Sequence, residues 1–343
     1  MITIKELAKE CGVSIATVSN VLNGTGRVGE DTIKKVLQTA SRLGYVPNEI
    51  AKNLKQGTNR TIGVITEDLT VFNAVEIVDG INEYLNEKDY SFLLGNLRLC
   101  QQFGGQFYHV EEYKQQVLDQ FQLMWGRQVA GIIYVGSHSR KMTFLPENRS
   151  VPLIMVYAHG REGQFTSVVF DDFQGAYDAV MKLHQSGAKR IGILAGDKES
   201  EHSRARVAGC KQAYRELGRE WDESLVLYGG WLREYGYRLS GELMQKHVDS
   251  VFCMSDEMAA GVYDYMHEHH IVIGKQLRLV GFDNRLVAEA YSPGLATMAI
   301  PLRGMGQTAA RLLLERLNGR ETLPEGQMLR LKCHYVDRPS IGQ

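Results

Sequence analysis

The sequence lacks the features of secreted, membrane-spanning and metal-binding proteins. Its five cysteines are odd in number and scattered without a C-x-x-C pair, which argues against a disulfide framework and against a zinc site. No stretch reaches the roughly 18 consecutive apolar residues of a membrane-spanning helix, and the N-terminus has no apolar signal-peptide core. We therefore expect a cytoplasmic protein without a membrane partner.

Motifs of catalysis are missing as well. The sequence contains no G-x-S-x-G nucleophile elbow, and its glycines at predicted strand ends, such as Gly192 and Gly196, do not form a P-loop. The run from His267 to His270 departs from the H-E-x-x-H zinc motif and is typical of a polar helix end. We predict no catalytic residues, no metal site and no cofactor.

Charge is distributed unevenly along the 343 residues. Residues 1–60 carry nine Lys or Arg and five Asp or Glu, net +4, while the remaining 283 residues carry 30 basic and 35 acidic side chains, net −5. A basic head on an acidic body fits a DNA-binding module joined to a unit that does not touch DNA. The length allows two or three compact units, and the 44% hydrophobic content is ordinary for a soluble globular protein.

Residues 3–24 predict two short helices joined by a tight turn. Apolar residues from Ile4 to Cys11 fall on one helical face, and Gly12 can adopt the left-handed conformation that ends a helix. Ser14 stands at the N-cap of the second helix. That helix turns short hydroxyl and amide side chains outward, which suits a helix lying in a phosphate-lined major groove. Periodicity alone fits an ordinary amphipathic helical hairpin equally well.

A third helix is predicted from Glu30 to Leu43. Pro47 and Asn48 then predict a turn, because the proline interrupts a helix and the asparagine can cap a following one. The segment 48–55 is too short to be helical alone in water. The three helices are expected to share a minimal core of Leu7, Ala8, Val18, Val21, Val36 and Leu37.

From residue 61 onward, short β-rich runs alternate with amphipathic helical segments. The runs TIGVIT, YSFLLGN, VAGIIYV and VPLIMVY predict strands, and a second cycle begins near Ser167 with SVVFDD. This alternation predicts parallel sheets covered by helices. We assign a first lobe to about residues 61–160 plus 290–325 and a second lobe to about residues 161–289 plus 326–343. Residues 97–110 are unusually long for a connection, and we assign them no role.

The N-terminal sequence of the chain also resembles that of a known family. TIKELAKECGVSIATVSNVLNG and the following VGEDTIKKVLQTASRLGYVPNEIAKNL resemble the signature of the LacI/GalR (lactose-repressor) family of bacterial transcription regulators. The resemblance implies an all-α helix-turn-helix head at 1–47 and a hinge helix and linker at 48–60. It also implies an α/β periplasmic-binding-protein-like body of two doubly wound lobes at 61–343, which binds an effector and dimerises. Ligands of such bodies lie between the lobes, outside the carboxyl ends of strands.

The resemblance implies how the head meets DNA. Ile15 and Ala16 would lie at the groove floor against thymine methyls, and Asn20 could pair with adenine. Leu54 matches the family's apolar residue that wedges into the minor groove when the hinge helix forms on operator DNA. Without the family context, Leu54 is one exposed residue of a plain linker. The predicted DNA-binding set is Thr3, Ser14, Ile15, Ala16, Thr17, Ser19, Asn20, Asn23, Arg27, Tyr45, Asn48, Ala51 and Leu54.

The resemblance also implies an effector site between the lobes. Arg206 aligns with an arginine that hydrogen-bonds sugar hydroxyls, and Asp256 aligns with an aspartate that accepts from them. Trp231 aligns with an aromatic residue that packs on a sugar ring. Arg206 and Asp256 are the two residues on which the predicted effector site chiefly rests. The predicted effector-binding set is Val71, Phe72, Asn73, Tyr157, Arg206, Trp231, Asp256 and Asp283, and matching loops add Glu67 and Asp68.

The sequence differs at four positions from the residues that are common in the family. Asn20 stands where arginine is frequent, and Tyr157 stands where an acidic residue is frequent. Ala296 replaces a threonine, and Gly29 replaces the usual N-cap serine of the third helix. Because of Asn20, the sequence of the operator is not predicted, and because of Tyr157, the identity of the effector is not predicted.

Together these features predict a ligand-responsive, sequence-specific DNA-binding transcription regulator, a repressor that binds a palindromic operator as a dimer. The expected partners are operator DNA, a small-molecule effector such as a sugar or sugar derivative, and a second copy of the chain. A dimer is favoured over a tetramer because the chain reaches Gln343 without leucine heptads. The main alternative is a stand-alone cytoplasmic sugar-binding protein, and a sugar-converting enzyme is a distant third. Whether the effector induces or co-represses stays open.

Overall fold

The computed structural model describes residues 2–45, 59–148, 150–320 and 323–342. The chain divides into two compact units, residues 1–60 and residues 61–343. The predicted hinge helix at 48–55 lies outside the described residues, and so do three of the predicted DNA-binding residues, Asn48, Ala51 and Leu54. Within the ranges described, no helix is long and apolar enough to cross a membrane.

Local hydrogen bonds set the starts of the head helices. Thr3 Oγ1 accepts from the Glu6 amide at 3.3 Å while the Glu6 carboxylate accepts from the Thr3 amide at 2.8 Å, a reciprocal capping box. Ser14 Oγ accepts from the Thr17 amide at 3.0 Å. The third helix follows Gly29, which has no side chain to cap it. The described head contains α1 (Ile4–Cys11), α2 (Ile15–Asn23) and α3 (Glu30–Leu43).

A small apolar core joins the three head helices. Gly12 turns the chain between α1 and α2 at a φ of +64°, where a Cβ would be strained. Leu37, which we expected in this core, is 49% exposed. Because successive helical residues lie about 100° apart, burial of Val36 and Ala40 turns Leu37 away from the core. The buried core consists of Leu7, Ala8, Cys11, Val18, Val36 and Ala40.

Two six-stranded sheets form the body. The first sheet is parallel throughout and contains β1 (Thr61–Thr66), β2 (Ser91–Asn96), β3 (Gly131–Val135), β4 (Leu153–Val156), β5 (Thr166–Phe170) and β11 (Met328–Leu331) in the spatial order β2-β1-β3-β4-β5-β11. The second sheet contains β6 (Ile191–Ala195), β7 (Val226–Tyr228), β8 (Ser250–Cys253), β9 (Arg278–Asp283), β10 (Ala296–Ala299) and β12 (His334–Val336) in the order β7-β6-β8-β9-β10-β12. Only β12 runs antiparallel to its neighbour in that sheet.

Helices cover both faces of the sheets. Along β3, Ile133 and Val135 join one apolar core while Ile132 and Tyr134 join another, as expected of a parallel strand buried on both faces. The first lobe carries α4 (Phe72–Glu87), α5 (Leu99–Phe103), α6 (Glu112–Gly126) and α12 (Leu302–Leu317). The second lobe carries α7 (Asp172–Gln185), α8 (Glu201–Glu216), α9 (Arg233–Gln245), α10 (Asp256–Glu268) and α11 (Leu286–Ala290). The predicted fold class, a helix-turn-helix head and a two-lobed α/β body, is confirmed.

The chain crosses between the lobes three times, and the predicted lobe boundaries are wrong at each crossing. β5 pairs with β4 and completes the first sheet, so the second lobe does not begin at 161. β10 pairs with β9 in the second sheet, so the returning segment does not begin at 290. The segment 326–343 is divided, because β11 pairs with β5 and β12 with β10. The alternation of β-rich and helical segments predicts where a strand lies along the chain. It does not predict which sheet the strand joins.

The C-terminal residues belong to the core of the second lobe. Buried Ser340 accepts from the Ala296 amide at 2.8 Å and donates to the Leu279 carbonyl at 2.6 Å, which ties β10 to β9. Arg338 donates to the Leu295 carbonyl at 2.9 Å. The Arg-Pro-Ser segment therefore closes the second sheet.

Two glycines allow α4 and α12 to pack closely. A Cβ built on Gly80 would lie 2.2 Å from the Arg303 carbonyl oxygen, and one built on Gly306 would lie 2.1 Å from the Ile77 carbonyl oxygen. Real side chains do not approach backbone oxygens so closely. One of the two helices would therefore have to move to accommodate a methyl group at Gly80 or Gly306.

We predict that Gly306→Ala lowers the melting temperature of the protein by roughly 3–8 °C, the effect of about 1–3 kcal/mol of overpacking. Differential scanning calorimetry would measure the shift. Gly126→Ala is the matched control, because a Cβ there meets open space within the described residues. An equal loss at both positions, or no loss at Gly306, would contradict the close helix contact.

Candidate functional site

Helix α2 presents a polar outer face that includes one large apolar side chain, Ile15, which is 45% exposed. Its first turn carries no acidic residue, so the positive end of the helix is left uncompensated. The predicted DNA-binding residues that are exposed are Thr3, Ser14, Ile15, Ala16, Asn20, Asn23 and Arg27. Those that are half-buried are Thr17, Ser19 and Tyr45.

Short contacts order the polar side chains of this face. The hydroxyls of Ser14 and Thr17 lie 2.8 Å apart, so each can donate to or accept from the other. The Asn20 side chain lies beside the following loop, because a Cβ built on Gly26 would be 2.9 Å from Asn20 Nδ2. The face thus combines hydroxyls at the helix start with an amide further along, groups that can bind phosphates and base edges.

A buried ion pair lies at the base of the cleft between the two lobes. Arg206, on α8, is 2% exposed, and its Nε donates to Asp172 Oδ1 at 2.7 Å. A second guanidinium nitrogen donates to the Met254 carbonyl, and the group lies 3.7 Å from the centre of the Phe282 ring. Burial favours protonation of Asp172, but His202 and Arg206 together hold its pKa below the ordinary value.

His202 connects this ion pair to the first lobe. Its Nδ1 lies 2.8 Å from Asp172 Oδ2, and its Nε2 lies 3.3 Å from the Ser139 amide nitrogen. Because the Ser139 amide can only donate, Nε2 is the acceptor of that bond, and Nδ1 faces the Asp172 carboxylate. His202 therefore links Asp172 of the second lobe to the backbone of the first lobe.

Aromatic rings surround the ion pair. The Phe170 ring stacks on His202 with centroids 5.3 Å apart, and Tyr157 lies 5.3 Å from Phe170 and 5.5 Å from His202. Trp231, from the second lobe, meets the His202 ring edge to face at 6.2 Å and lies 5.6 Å from the guanidinium of Arg206. Two predicted residues, Tyr157 and Trp231, are thus brought together with Arg206.

Arg206 and Asp256 have different hydrogen-bond partners in the structure. Asp256 is fully buried, where its Oδ1 accepts from Thr297 Oγ1 at 2.6 Å and its Oδ2 accepts from the Arg285 amide at 2.7 Å. The Asp256 carboxylate also lies against Gly281 of β9, and burial raises its pKa to about 7. Both oxygens of Asp256 thus join strand and loop, and the carboxylate partner of Arg206 is Asp172.

Asp283 lies closer to the centre of the cleft. It ends β9 at a φ of +111°, a conformation that side chains rarely adopt. Burial raises the pKa of the Asp283 carboxyl well above its ordinary value, and the neighbouring Arg206 acts in the opposite direction. A carboxyl group in this setting can both donate to and accept from a polar ligand.

The first lobe contributes the loops after β1 and β3. Asn73 Nδ2 donates to the Gly136 carbonyl at 2.9 Å. Phe72 is half-buried beneath the guanidinium of Arg285, 5.0 Å from its ring centre, and Val71 precedes it as the N-cap of α4. Three buried polar atoms, Thr66 Oγ1, Asn73 Oδ1 and Ser203 Oγ, make no hydrogen bond within the described part of the chain. Such atoms cost free energy unless a ligand or water satisfies them.

Glu67 and Asp68 serve the first lobe itself. Glu67 is fully buried and binds Arg140 with oxygen–nitrogen distances of 2.6 and 3.0 Å. Asp68 accepts from the Thr70 amide at 2.9 Å and the Gln101 amide at 3.1 Å, which fixes the turn before α4 and the start of α5.

Sequence reasoning missed several residues of the cleft, namely Phe170, Asp172, His202, Phe282 and Arg140. Asp172 could have been found as the second carboxylate of SVVFDD, directly after a strand. His202 stands four residues before Arg206 and shares its helical face. The remaining three depend on strand neighbours that no local pattern reveals.

A second contact joins the lobes at the start of α8. His159 Nε2 lies 2.9 Å from Glu201 Oε2, and its Nδ1 lies 3.2 Å from the Gly160 carbonyl. Both ring nitrogens face acceptors, so the charged imidazolium is favoured. The hydrogen bond to Glu201 is the main cause of the raised pKa of His159, against burial and the nearby charge of Lys141.

We predict that His159→Gln lowers the melting temperature by about 2 °C near pH 5.5 and much less near pH 8.5. A raised pKa means that the stabilisation is complete below the ordinary histidine value of about 6.5 and is lost as the pH rises through the raised value. His184→Gln, at an exposed position on α7, is the control. A variant difference that grows with pH would refute the charged pair.

Comparisons with known proteins agree with this geometry. Residues 3–48 match the family described as bacterial regulatory proteins, lacI family, and residues 180–341 match the periplasmic binding protein-like domain. The solved lac repressor dimer bound to operator and an anti-inducer has a TM-score of 0.79 at 23% identity, covering 100% of this chain and 99% of that one. The complex of the transcriptional regulator CelR with cellobiose has a TM-score of 0.64 at 26% identity, covering 99% and 100%.

Two relatives are similar over nearly their whole length. The HTH-type transcriptional regulator RegA of Clostridium saccharobutylicum is 31% identical over 323 residues, 93% of each protein. Catabolite control protein A of Priestia megaterium is 31% identical over 321 residues, 92% of this chain and 93% of the relative. The resemblance noted in the sequence is thereby confirmed, and the chain belongs to the lacI family of bacterial transcription regulators.

Proposed function

We propose that this regulator is a cytoplasmic repressor that binds a palindromic operator as a dimer and responds to a neutral sugar or sugar derivative between its lobes. The observation that carries the ligand assignment is the buried network of Arg206, Asp172 and His202, which is surrounded by aromatic side chains. The exposed face of α2 carries the DNA assignment.

The head would dock with the start of α2 toward the DNA backbone. The uncompensated positive helix end and the hydroxyls of Ser14 and Thr17 suit phosphate contacts. Ile15 and Ala16, both exposed, would face thymine methyls, and Asn20 would pair with adenine. Thr3, Ser19, Asn23, Arg27 and Tyr45 would hold phosphates. The roles of Asn48, Ala51 and Leu54 stay predictions from the family resemblance.

We predict that Asn20→Ala relaxes half-site preference at one base pair by about 1–3 kcal/mol of discrimination, because the amide would no longer pair with adenine. Binding-site selection with the full chain would measure this preference. Gln38→Ala on the exposed face of α3 is the control and should leave the selected sequence unchanged. An unchanged half-site in the Asn20 variant would remove Asn20 from base readout.

The electrostatics of the cleft favour an uncharged ligand. The two arginines that border it are each bound to a buried carboxylate, Arg206 to Asp172 and Arg140 to Glu67. A phosphate or carboxylate ligand would have to compete with those pairs, whereas hydroxyl groups can accept from guanidinium and donate to Asp283. Cellobiose, which is bound in the CelR complex, belongs to this neutral class.

Dimerisation is supported by exposed apolar side chains on the body. Leu286 is 88% exposed and Leu232 is 60% exposed in the second lobe, and Val75 is 59% exposed in the first. Large apolar side chains left in water on both lobes suit contact with another protein surface. A two-fold operator would then be bound by two heads.

We predict that Arg206→Ala abolishes the effector response and leaves operator binding within a few-fold of the parent. Loss of charged hydrogen bonds to a buried ligand costs about 1.5–3 kcal/mol each, which is tenfold or more in affinity. A thermal-shift screen of sugars, phosphosugars and nucleobases on the full chain would supply the ligand, and titration calorimetry would measure its affinity.

Two further variants separate binding from folding. Arg204→Ala, exposed on the same helix, should respond like the parent. Arg206→Lys keeps a positive charge beside Asp172 while it removes the planar fork, so it should fold normally and still bind weakly. An unaltered titration of Arg206→Ala would exclude Arg206 from the site. Binding of a phosphosugar in preference to the free sugar would overturn the neutral class.

A further inference from the structure

Residues 97–110 fold as a fixed part of the first lobe. The Leu97 amide donates to the Thr66 carbonyl at 2.9 Å and the Leu99 amide donates to the Glu67 carbonyl at 2.8 Å, so the backbone continues to bond along the end of β1. Leu99 and Phe107 are fully buried in the apolar core of that lobe. The segment is therefore positioned by the fold at the carboxyl ends of β1 and β3.

Buried charges hold the aromatic part of this segment. Arg140, bound by Glu67, lies 5.1 Å from the centre of the Phe107 ring and 5.6 Å from that of Tyr108. His138 lies edge to face with Tyr108 at 5.3 Å and donates from Nε2 to the Gly105 carbonyl at 2.9 Å. Burial lowers the pKa of His138 to about 4, so this ring is neutral near pH 7. Tyr108 is thus oriented before any ligand arrives.

Tyr108 lies at the edge where the first lobe meets the second. The side chain is half-buried, and Asp197 in the loop after β6 adds to the effect of burial in raising the pKa of its hydroxyl. The residue after His138, Ser139, contacts His202, and His202 in turn meets Trp231. Contacts therefore lead from Tyr108 to His138, and from the adjacent Ser139 through His202 to Trp231 on the second lobe.

We propose that Tyr108 is a second aromatic platform of the effector site, and that the cleft takes a neutral disaccharide with one ring at Trp231 and the other at Tyr108. This inference rests on the proposed sugar effector. Tyr108 and Trp231 both keep part of their surface exposed, and aromatic faces pack against the apolar C–H faces of sugar rings while nearby polar groups bind the hydroxyls. Two platforms on opposite lobes accommodate two rings, and a single ring reaches only one of them.

Titration calorimetry on the full chain tests the proposal with matched sugars: glucose and galactose against cellobiose, maltose and lactose. We expect one disaccharide to bind at least about tenfold more tightly than its component monosaccharides. Tyr108→Ala should weaken that disaccharide about tenfold and leave monosaccharide affinity unchanged, while Tyr108→Phe retains the ring and the affinity. Trp231→Ala should weaken both lengths of sugar. Operator binding and the melting temperature of each variant report whether it is folded.

The outcomes separate this inference from the proposed function. If monosaccharides bind as tightly as every disaccharide, or if Tyr108→Ala weakens both lengths equally, the Tyr108 platform is refuted while a sugar effector stands. If no sugar of either length binds and a phosphosugar or nucleobase does, the sugar effector itself is refuted and the platform with it.

Discussion

The buried ion pair of Arg206 and Asp172 constrains the rest of the body. Taking two charges out of water costs several kcal/mol each, and only their mutual attraction and further hydrogen bonds offset it. Asp172 follows the first crossing of the chain between the lobes, and Arg206 reaches the Met254 carbonyl after β8. The pair therefore requires β5, α7, α8 and β8 to hold one arrangement. A polar ligand meets groups that are already oriented, which is the preorganisation that a binding site needs.

Two side-chain contacts of different kinds at the start of α8 join the lobes in that arrangement. The Ser139–His202 hydrogen bond is made by a backbone amide, whereas the His159–Glu201 contact joins a charged ring to a carboxylate. Both meet the second lobe in the first turn of α8, the helix that carries Arg206. A ligand that binds one relative position of the lobes better than another will shift the population toward it, and these contacts define the position it must favour or oppose.

The head could be predicted from residues that act within their own helix. The body could be predicted only in part, because its arrangement depends on pairing between strands that are distant in the sequence. Thr3, Ser14 and Gly12 act within a few residues of their own helix, so their sequence positions were sufficient to place α1 and α2. Arg206 lies in the second turn of its helix, Trp231 follows a strand and Asp283 ends one; their assignment to the effector site stays a prediction from the resemblance. Asp256 bonds across to β10 and to the loop after β9, neighbours that its position in the sequence did not reveal. Asp172 was missed because its proximity to Arg206 depends on the crossing after β5, which alternation of strands and helices does not reveal.

The interleaved topology determines when this protein can become active during synthesis. Neither lobe is a continuous stretch, since β11 completes the first sheet and β12 the second, only a few residues apart. Until residues 328–340 have left the ribosome, β5 and β10 are open edges, and Ser340 has not yet tied β10 to β9. The head, by contrast, makes all its core contacts within the first 45 residues and can fold while the body is still being made. A nascent chain would therefore carry a folded helix-turn-helix head long before it has a ligand-responsive body. Control by ligand thus begins only after residues 328–340 have joined the body.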